Sequence, residues 1–333
     1  MSKTIAVVGG IPNPIGGVTT FVRRVISRER AVRWVFDLYP SGKKQLPNEY
    51  DGKYYCSKSK FLTVARLWFF CLAGRCDIVH FNFSTPRSLI LLMFLPKRRM
   101  KWALTLHHGD LGLKVKTWAK WVLSTRVDYA LALNERQREW YLRSIPSGRI
   151  TISSPYVRPS TPHPTLDFYK EIHRLKSKHS KIFVCSGYPT KIYNHSIAID
   201  LMKNRPRDLL VCCLYGVGGQ MGAIRKQASE NGNVIIFDLL DEENFNFLLA
   251  ESDVYLRLNS EDSFGIAVAD SLNLGSKCIS TDVCPRYQGS VLIPIPKNSE
   301  EIECAINDLF SNGLEFRVST VKIIDFTYSN LSE

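Results

Sequence analysis

The sequence predicts an α/β protein built from two parallel-sheet domains, and three observations predict it. Short β-branched runs alternate with amphipathic segments along nearly the whole chain, which is the pattern of βα units. The rhythm breaks once, from Ser153 to Thr165, where four prolines fall in thirteen residues. Prolines at that density fit neither a helix interior nor a central strand, so the domain junction lies there. At 333 residues the chain is about twice a typical domain in length.

The elements follow in order. In the first half, strands are expected at Ile5–Gly9, Trp34–Leu38, Ile78–Phe81, Trp102–His107 and Tyr129–Leu133. Helices are expected at Val18–Ser27, Phe61–Ala73, Arg87–Phe94, Lys116–Ser124 and Glu135–Arg143. After the prolines, strands resume at Ile182–Ser186, Leu209–Tyr215, Val234–Phe237, Val254–Leu258 and Lys277–Ser280. The expected division is residues 1–155, a linker at 153–165, a second domain at 166–325, and the start of a short terminal helix at 326–333. Two such halves leave a cleft, and ligands of open α/β sheets bind outside the carboxyl ends of the strands.

Composition narrows the function. No stretch reaches the roughly 18 apolar residues needed to span a bilayer, and the start of the chain lacks a signal-peptide layout. Nine scattered cysteines without metal-ligand spacing suit reduced thiols in a cytosolic protein and argue against a zinc site. The net charge of +13 is one-sided: residues 1–175 hold 29 Lys and Arg against 11 Asp and Glu, residues 176–333 hold 15 against 20. The first half therefore meets something anionic. Helix-turn-helix, RNP and zinc-finger patterns are missing, so nucleic acid is not the expected partner.

Two stretches carry chemistry. Gly16 and Gly17 fall at the start of a helix after the first strand, where amides and the macrodipole favour an anion. Their spacing is not that of a dinucleotide fingerprint, which argues against hydride transfer. A second helix start lies near Gly265, with the amides of Gly265, Ile266 and Ala267 forming another anion site. Asp262 precedes it and Asp270 follows within two turns, so both could reach one ligand; a carboxylate accepts two hydroxyl hydrogen bonds, as a sugar or ribose offers. The plainer alternative makes Asp262 a helix cap and Asp270 a solvated residue.

The stretch from Glu261 to Gly275, with Asp262-Ser-Phe264-Gly265 and a second acid eight residues after the first, resembles the E-x7-E motif of retaining GT-B glycosyltransferases of the family 4 type. Further segments match in order: Asp77-Ile-Val-His80, Leu104 to Asp110, Val127 to Asn134, Leu214 to Gly218, Glu251 to Leu256 and Gly275 to Asp282. Cys284-Pro-Arg286 is similar to bacterial surface-polysaccharide members. The resemblance implies a GT-B fold, two Rossmann-like domains facing a central cleft. It implies that Asp262 holds the donor sugar's hydroxyls and Asp270 the ribose. Gly16 and Gly17 on one side and Gly265, Ile266 and Ala267 on the other would receive the diphosphate, with Lys191, Gly216 and Phe264 also at the donor. His107 would lie beside the transferred sugar and His108 toward the acceptor. The implied donor is a nucleotide-diphosphate sugar and the implied acceptor a glycan or lipid-linked glycan, with no metal or other cofactor and front-side displacement as the route.

The chain departs from the family in three places. Both motif acids are Asp rather than Glu, Tyr188 stands where an Arg is expected, and Phe326 to Glu333 matches only the beginning of the family's last helix. A nucleotide-sugar epimerase is the competing reading on the same architecture, and a nucleic-acid-binding module the remote one. Asp262→Asn is expected to cut turnover with the fold intact. Finally, Lys58 to Cys71 and the Lys97, Arg98, Arg99 cluster, flanked by Leu95, Met100 and Trp102, mix cations with large apolar groups. That mixture suits an anionic membrane surface, while the plainer alternative, the one favoured for the helix, is an ordinary core-facing helix and a solvated basic loop; the membrane reading predicts a cytoplasmic protein peripheral to the inner face of a membrane.

Overall fold

The computed structural model describes residues 3–331 except 14, 41–43, 45, 48, 109, 110, 113, 312–315 and 322–324. It divides into two compact units, residues 1–157 with 324–333, and residues 158–323.

Unit 1 holds strands β1 (Ile5–Gly9), β2 (Val32–Asp37), β3 (Lys53–Tyr55), β4 (Ile78–Phe83), β5 (Lys101–Leu106), β6 (Tyr129–Ala132) and β7 (Ile150–Ile152). They pair in the order β3-β2-β1-β4-β5-β6-β7, all parallel. The helices are α1 (Gly17–Arg28), α2 (Lys60–Ala73), α3 (Ile90–Phe94), α4 (Thr117–Arg126) and α5 (Glu135–Leu142). Strand order reverses after β3, so right-handed crossovers put α1 on one face of the sheet and α2 to α5 on the other. On that second face Leu67, Phe70, Leu92, Val122 and Trp140 pack against Val8, Phe81, Trp102 and Leu104 in one buried cluster. The expected helix at Arg87–Phe94 begins as a 3-10 turn over Pro86–Leu89 before α3.

Unit 2 repeats the plan with β8 (Ile182–Gly187), β9 (Leu209–Leu214), β10 (Val234–Asp238), β11 (Val254–Arg257), β12 (Lys277–Thr281), β13 (Val291–Ile293) and β14 (Arg317–Val318). The order is β10-β9-β8-β11-β12-β13-β14, parallel but for β14. Its helices are α6 (Leu166–Lys176), α7 (His195–Leu201), α8 (Met221–Ser229), α9 (Glu242–Glu251), α10 (Ile266–Asn273) and α11 (Ser299–Ser311). The four edge-side strands β3, β7, β13 and β14 escape periodicity because each has only two or three residues.

In each sheet the first strand lies between the second and the fourth. The chain therefore turns outward in both directions at β1/β4 and at β8/β11, and a crevice opens at the carboxyl ends there. The tail belongs to unit 1. The Phe326 amide donates to the Tyr156 carbonyl at 2.7 Å, its ring lies 5.1 Å from that of Phe21, and Arg28 bonds Asp325 at 3.0 Å.

Candidate functional site

The switch point of unit 2 gathers a charged cluster. Arg257 ends β11, and its side chain turns back over the end of β8, where Nη1 lies 3.4 Å from the Ser186 carbonyl. Its Nε donates to Asp262 Oδ2 at 2.9 Å, and Arg286 Nη1 donates to the same oxygen at 2.8 Å. The other carboxylate oxygen accepts the Ser263 amide at 3.0 Å. Arg286 is wholly buried and further fixed by donating from Nε to the Thr281 carbonyl at 2.9 Å. Burial alone would raise the Asp262 pKa, but the two guanidiniums overcome it and hold the carboxyl well below the usual range. Burial likewise works against the charge of Arg257, and Asp262 overrides it, leaving that cation firmly protonated.

Gly265 caps α10 with φ +78°, and no side chain caps that helix. A Cβ at this position would sit 2.8 Å from Arg286 Nη1 and 3.2 Å from Asp262 Oδ2, so glycine is required by both backbone and space. Ile266 and Ala267 open α10 half-buried, while Phe264 is buried behind them. Asp262 is thus neither a helix cap nor a solvated acid. Asp270 is buried in α10 rather than on a solvated face. It lies near Tyr215, whose pKa is raised first by burial and in smaller part by the Asp270 charge. The two acids stand at the same end of the sheet with different neighbours.

The adjoining loops are tied to this cluster. The side chain of Asn194 donates to the Leu258 carbonyl at 2.7 Å, and the Ser260 amide donates to Ile192 at 2.8 Å. Tyr193 lies under the Arg257 guanidinium, 5.4 Å from its ring centroid. Lys191 opens the same short turn and is exposed. Gly216 follows β9 at φ +65°, close enough that a Cβ would meet the Tyr188 ring at 2.7 Å. Tyr188 therefore packs against the next loop, and the cations at this switch point are Arg257, which reaches over from the neighbouring strand, and Arg286. Arg257 went unread in the sequence, although a lone arginine in Val254-Tyr-Leu-Arg-Leu258 breaks an otherwise apolar strand.

Unit 1 places its residues at the carboxyl ends of β1, β4 and β5. His107, just past β5, bonds Asn82 Oδ1 through Nε2 at 3.0 Å and rests 5.2 Å from the Phe21 ring. Burial pushes its pKa down to about 3, which favours the neutral imidazole near pH 7. His80 is engaged within the fold, with Nδ1 2.8 Å from the Tyr328 hydroxyl and Nε2 2.8 Å from Thr105 Oγ1. Gly16 and Gly17 form the start of α1, which no side chain caps. The loop before it is held by Lys44, which bonds the Ile11 and Asn13 carbonyls and lies 3.2 Å from Asp37 at the end of β2. Neither Lys44 nor Asp37 was read as a site residue. The His108 carbonyl accepts from Gln137 at 2.8 Å. Asp110, quoted in the family motif, lies outside the described residues.

One expectation is overturned. Leu95, Met100 and Trp102, expected beside Lys97, Arg98 and Arg99 at a lipid surface, are core residues with 2% exposure or less. Lys97 is tied to Asp128 at 2.8 Å. Between α3 and β5 the chain turns Leu95 and Met100 inward and leaves Arg98 and Arg99 in solvent between them.

No family model matches the chain, and no curated protein matches its sequence. Solved structures do match. HepE from Anabaena, solved with UDP-glucose, is 12% identical over 92% of this chain and 90% of its own, with a TM-score of 0.68. A glycosyltransferase from Rickettsia africae is 13% identical over 94% and 90%, TM-score 0.64. Sucrose-phosphate synthase from Thermosynechococcus elongatus is 15% identical over 93% and 90%, TM-score 0.65. The fold is GT-B. At these identities the likeness is one of fold.

Proposed function

We propose that this protein is a retaining glycosyltransferase that moves a sugar, of hexose type, from a nucleotide-diphosphate donor to a glycan or lipid-linked glycan during surface-polysaccharide synthesis. The observation that carries the reading is the Arg257–Asp262–Arg286 cluster beside the uncapped start of α10. Two guanidiniums against one carboxylate leave a positive charge at the switch point, and the α10 amides add to it. A diphosphate suits such a place both as a bound group and as a leaving group whose charge grows in the transition state.

Asp262 Oδ2 already accepts two guanidinium hydrogen bonds and Oδ1 one amide, so Asp262 holds the two arginines and keeps one acceptor position for a sugar hydroxyl. Asp270 takes the ribose, with Lys191, Gly216, Phe264, Gly265, Ile266 and Ala267 around the donor. In unit 1, neutral His107 and the start of α1 at Gly16 and Gly17 serve the transferred sugar and its phosphates, and His108 the acceptor. The leaving phosphate accepts the acceptor's proton, so orientation and charge stabilisation are the protein's share of the chemistry. A lipid-linked acceptor places the enzyme at the cytoplasmic side of a membrane.

Calorimetric titration with UDP, GDP, ADP and UMP tests the reading, with uridine first because HepE was solved with UDP-glucose. The preferred diphosphate should bind at least about tenfold tighter than its monophosphate, a difference of about 1.4 kcal/mol. Equal binding of UDP and UMP, with no other diphosphate preferred, removes the diphosphate site.

A further inference from the structure

The outer face of α2, α3 and α4 in unit 1 has a surface that donor chemistry does not use. Helix α2 buries Thr63, Leu67, Phe70 and Cys71 against the sheet. On its other side Phe61 and Phe69 are 86% and 66% exposed. A helix with large apolar side chains on both faces ordinarily has both covered. Phe94 and Ile90 of α3 add side chains 70% and 54% exposed, and Trp121 of α4 is exposed as well. The three helices form one surface. The Trp68 indole of α2 donates to the Phe94 carbonyl at 3.1 Å, and Arg126 of α4 donates to the Met93 carbonyl at 3.2 Å. Single exposed apolar residues are ordinary, but several of them on helices bonded to one another mark an interaction site.

Charge identifies the occupant. Between residues 52 and 127 the chain has fourteen Lys and Arg and two acids, Asp77 and Asp110. Asp77 is bound to Thr4. Lys58, Lys60, Arg66, Lys116 and Lys120 stand exposed on or beside the same helices. A second copy docked about a two-fold axis would set this surface against itself, cation against cation. Nucleic acid would meet the cations but offers no apolar medium for phenylalanine and isoleucine side chains. A bilayer with anionic lipid takes both, the apolar side chains at the acyl boundary and the cations among the headgroups. We propose that the α2–α4 face of unit 1 docks on an anionic membrane surface. No helix among the described residues is long and apolar enough to cross it, so the contact is peripheral. The donor site plays no part in this inference.

The test is co-sedimentation of the full chain with vesicles of phosphatidylcholine alone and of phosphatidylcholine with phosphatidylglycerol. Wild type should pellet with the anionic vesicles at low salt, less as salt rises, and stay in the supernatant with the neutral ones. The triple variant Phe61→Ser, Phe69→Ser, Phe94→Ser alters only exposed side chains, and its melting checks the fold; its partitioning should fall at least about tenfold. The variant Lys58→Gln, Lys60→Gln, Lys120→Gln should lose about a hundredfold at low salt. Wild type in the supernatant with both vesicles overturns the proposal. So does wild-type binding by the phenylalanine variant, since charge alone would then suffice. A dimer in lipid-free solution that this variant dissociates gives the face to a second copy and overturns it as well.

Discussion

Replacing Asp262 by Asn perturbs the cluster at its centre. The oxygen that accepts from Arg257 at 2.9 Å and from Arg286 at 2.8 Å loses its charge. The sequence alone suggested a variant with an intact fold; the structure adds a cost in stability, because Arg286 is wholly buried and would keep its charge without a counter-ion. Removing one partner of a buried pair costs about 3–5 kcal/mol. An Asn oxygen in the Oδ2 position can still accept from both arginines, while its NH2 group cannot accept from the Ser263 amide, which sets the expectation at the lower end, about 3 kcal/mol. Unit 2 spans residues 158–323. For a domain of that size the melting temperature falls roughly 2–4 °C per kcal/mol, so its transition should drop by about 6–12 °C at pH 7. The sign with pH follows from the depressed pKa of Asp262. Its contribution is present above the unfolded carboxyl value of about 3.9 and is lost as pH falls through the folded value. The gap between wild type and variant should therefore narrow below about pH 4. Scanning calorimetry of both proteins across pH measures this. The double variant Asp262→Asn, Arg286→Met should recover part of the loss, because the stranded charge leaves with its partner. A melting point within about 1 °C of wild type at pH 7 would refute the reasoning.

Arg257→Gln should weaken binding of the preferred nucleoside diphosphate about tenfold to a hundredfold, the worth of one or two charge-assisted hydrogen bonds; an unchanged affinity by calorimetry means the arginine does not face phosphate. The pKa of buried His80 is pushed down to about 3 by burial and the nearby His107. Its contribution to stability is therefore full above the unfolded value of about 6.5 and shrinks as pH falls below it, by about 1.4 kcal/mol per pH unit. Urea titrations at pH 7, 6 and 5 should show a shallower decline in His80→Gln than in wild type, and parallel declines would contradict this. Early product should keep the donor's anomeric configuration by proton NMR coupling, and an inverted product excludes a retaining route.

Local information took the sequence far. The strand from Ile5 to Gly9 and the one from Ile182 to Ser186 are legible because a buried parallel strand is a short apolar run whatever surrounds it. The helix start at Gly265 is legible because glycine followed by an apolar period is a local signal. The edge strands Lys53–Tyr55 and Ile150–Ile152 are not, since three residues carry no period and pair only because the sheet is there to receive them. Arg257, Asp262 and Arg286 could not be joined on paper, for they come from the end of β11, the loop before α10 and the segment after β12. The same limit governs the basic half. Its charge was countable in the sequence, yet Leu95, Met100 and Trp102 turned inward while Phe61, Phe69 and Phe94 turned out. Composition fixes how much apolar surface a chain has; which of it meets water is decided when helices settle on a sheet, since only packing in three dimensions assigns each side chain a neighbour.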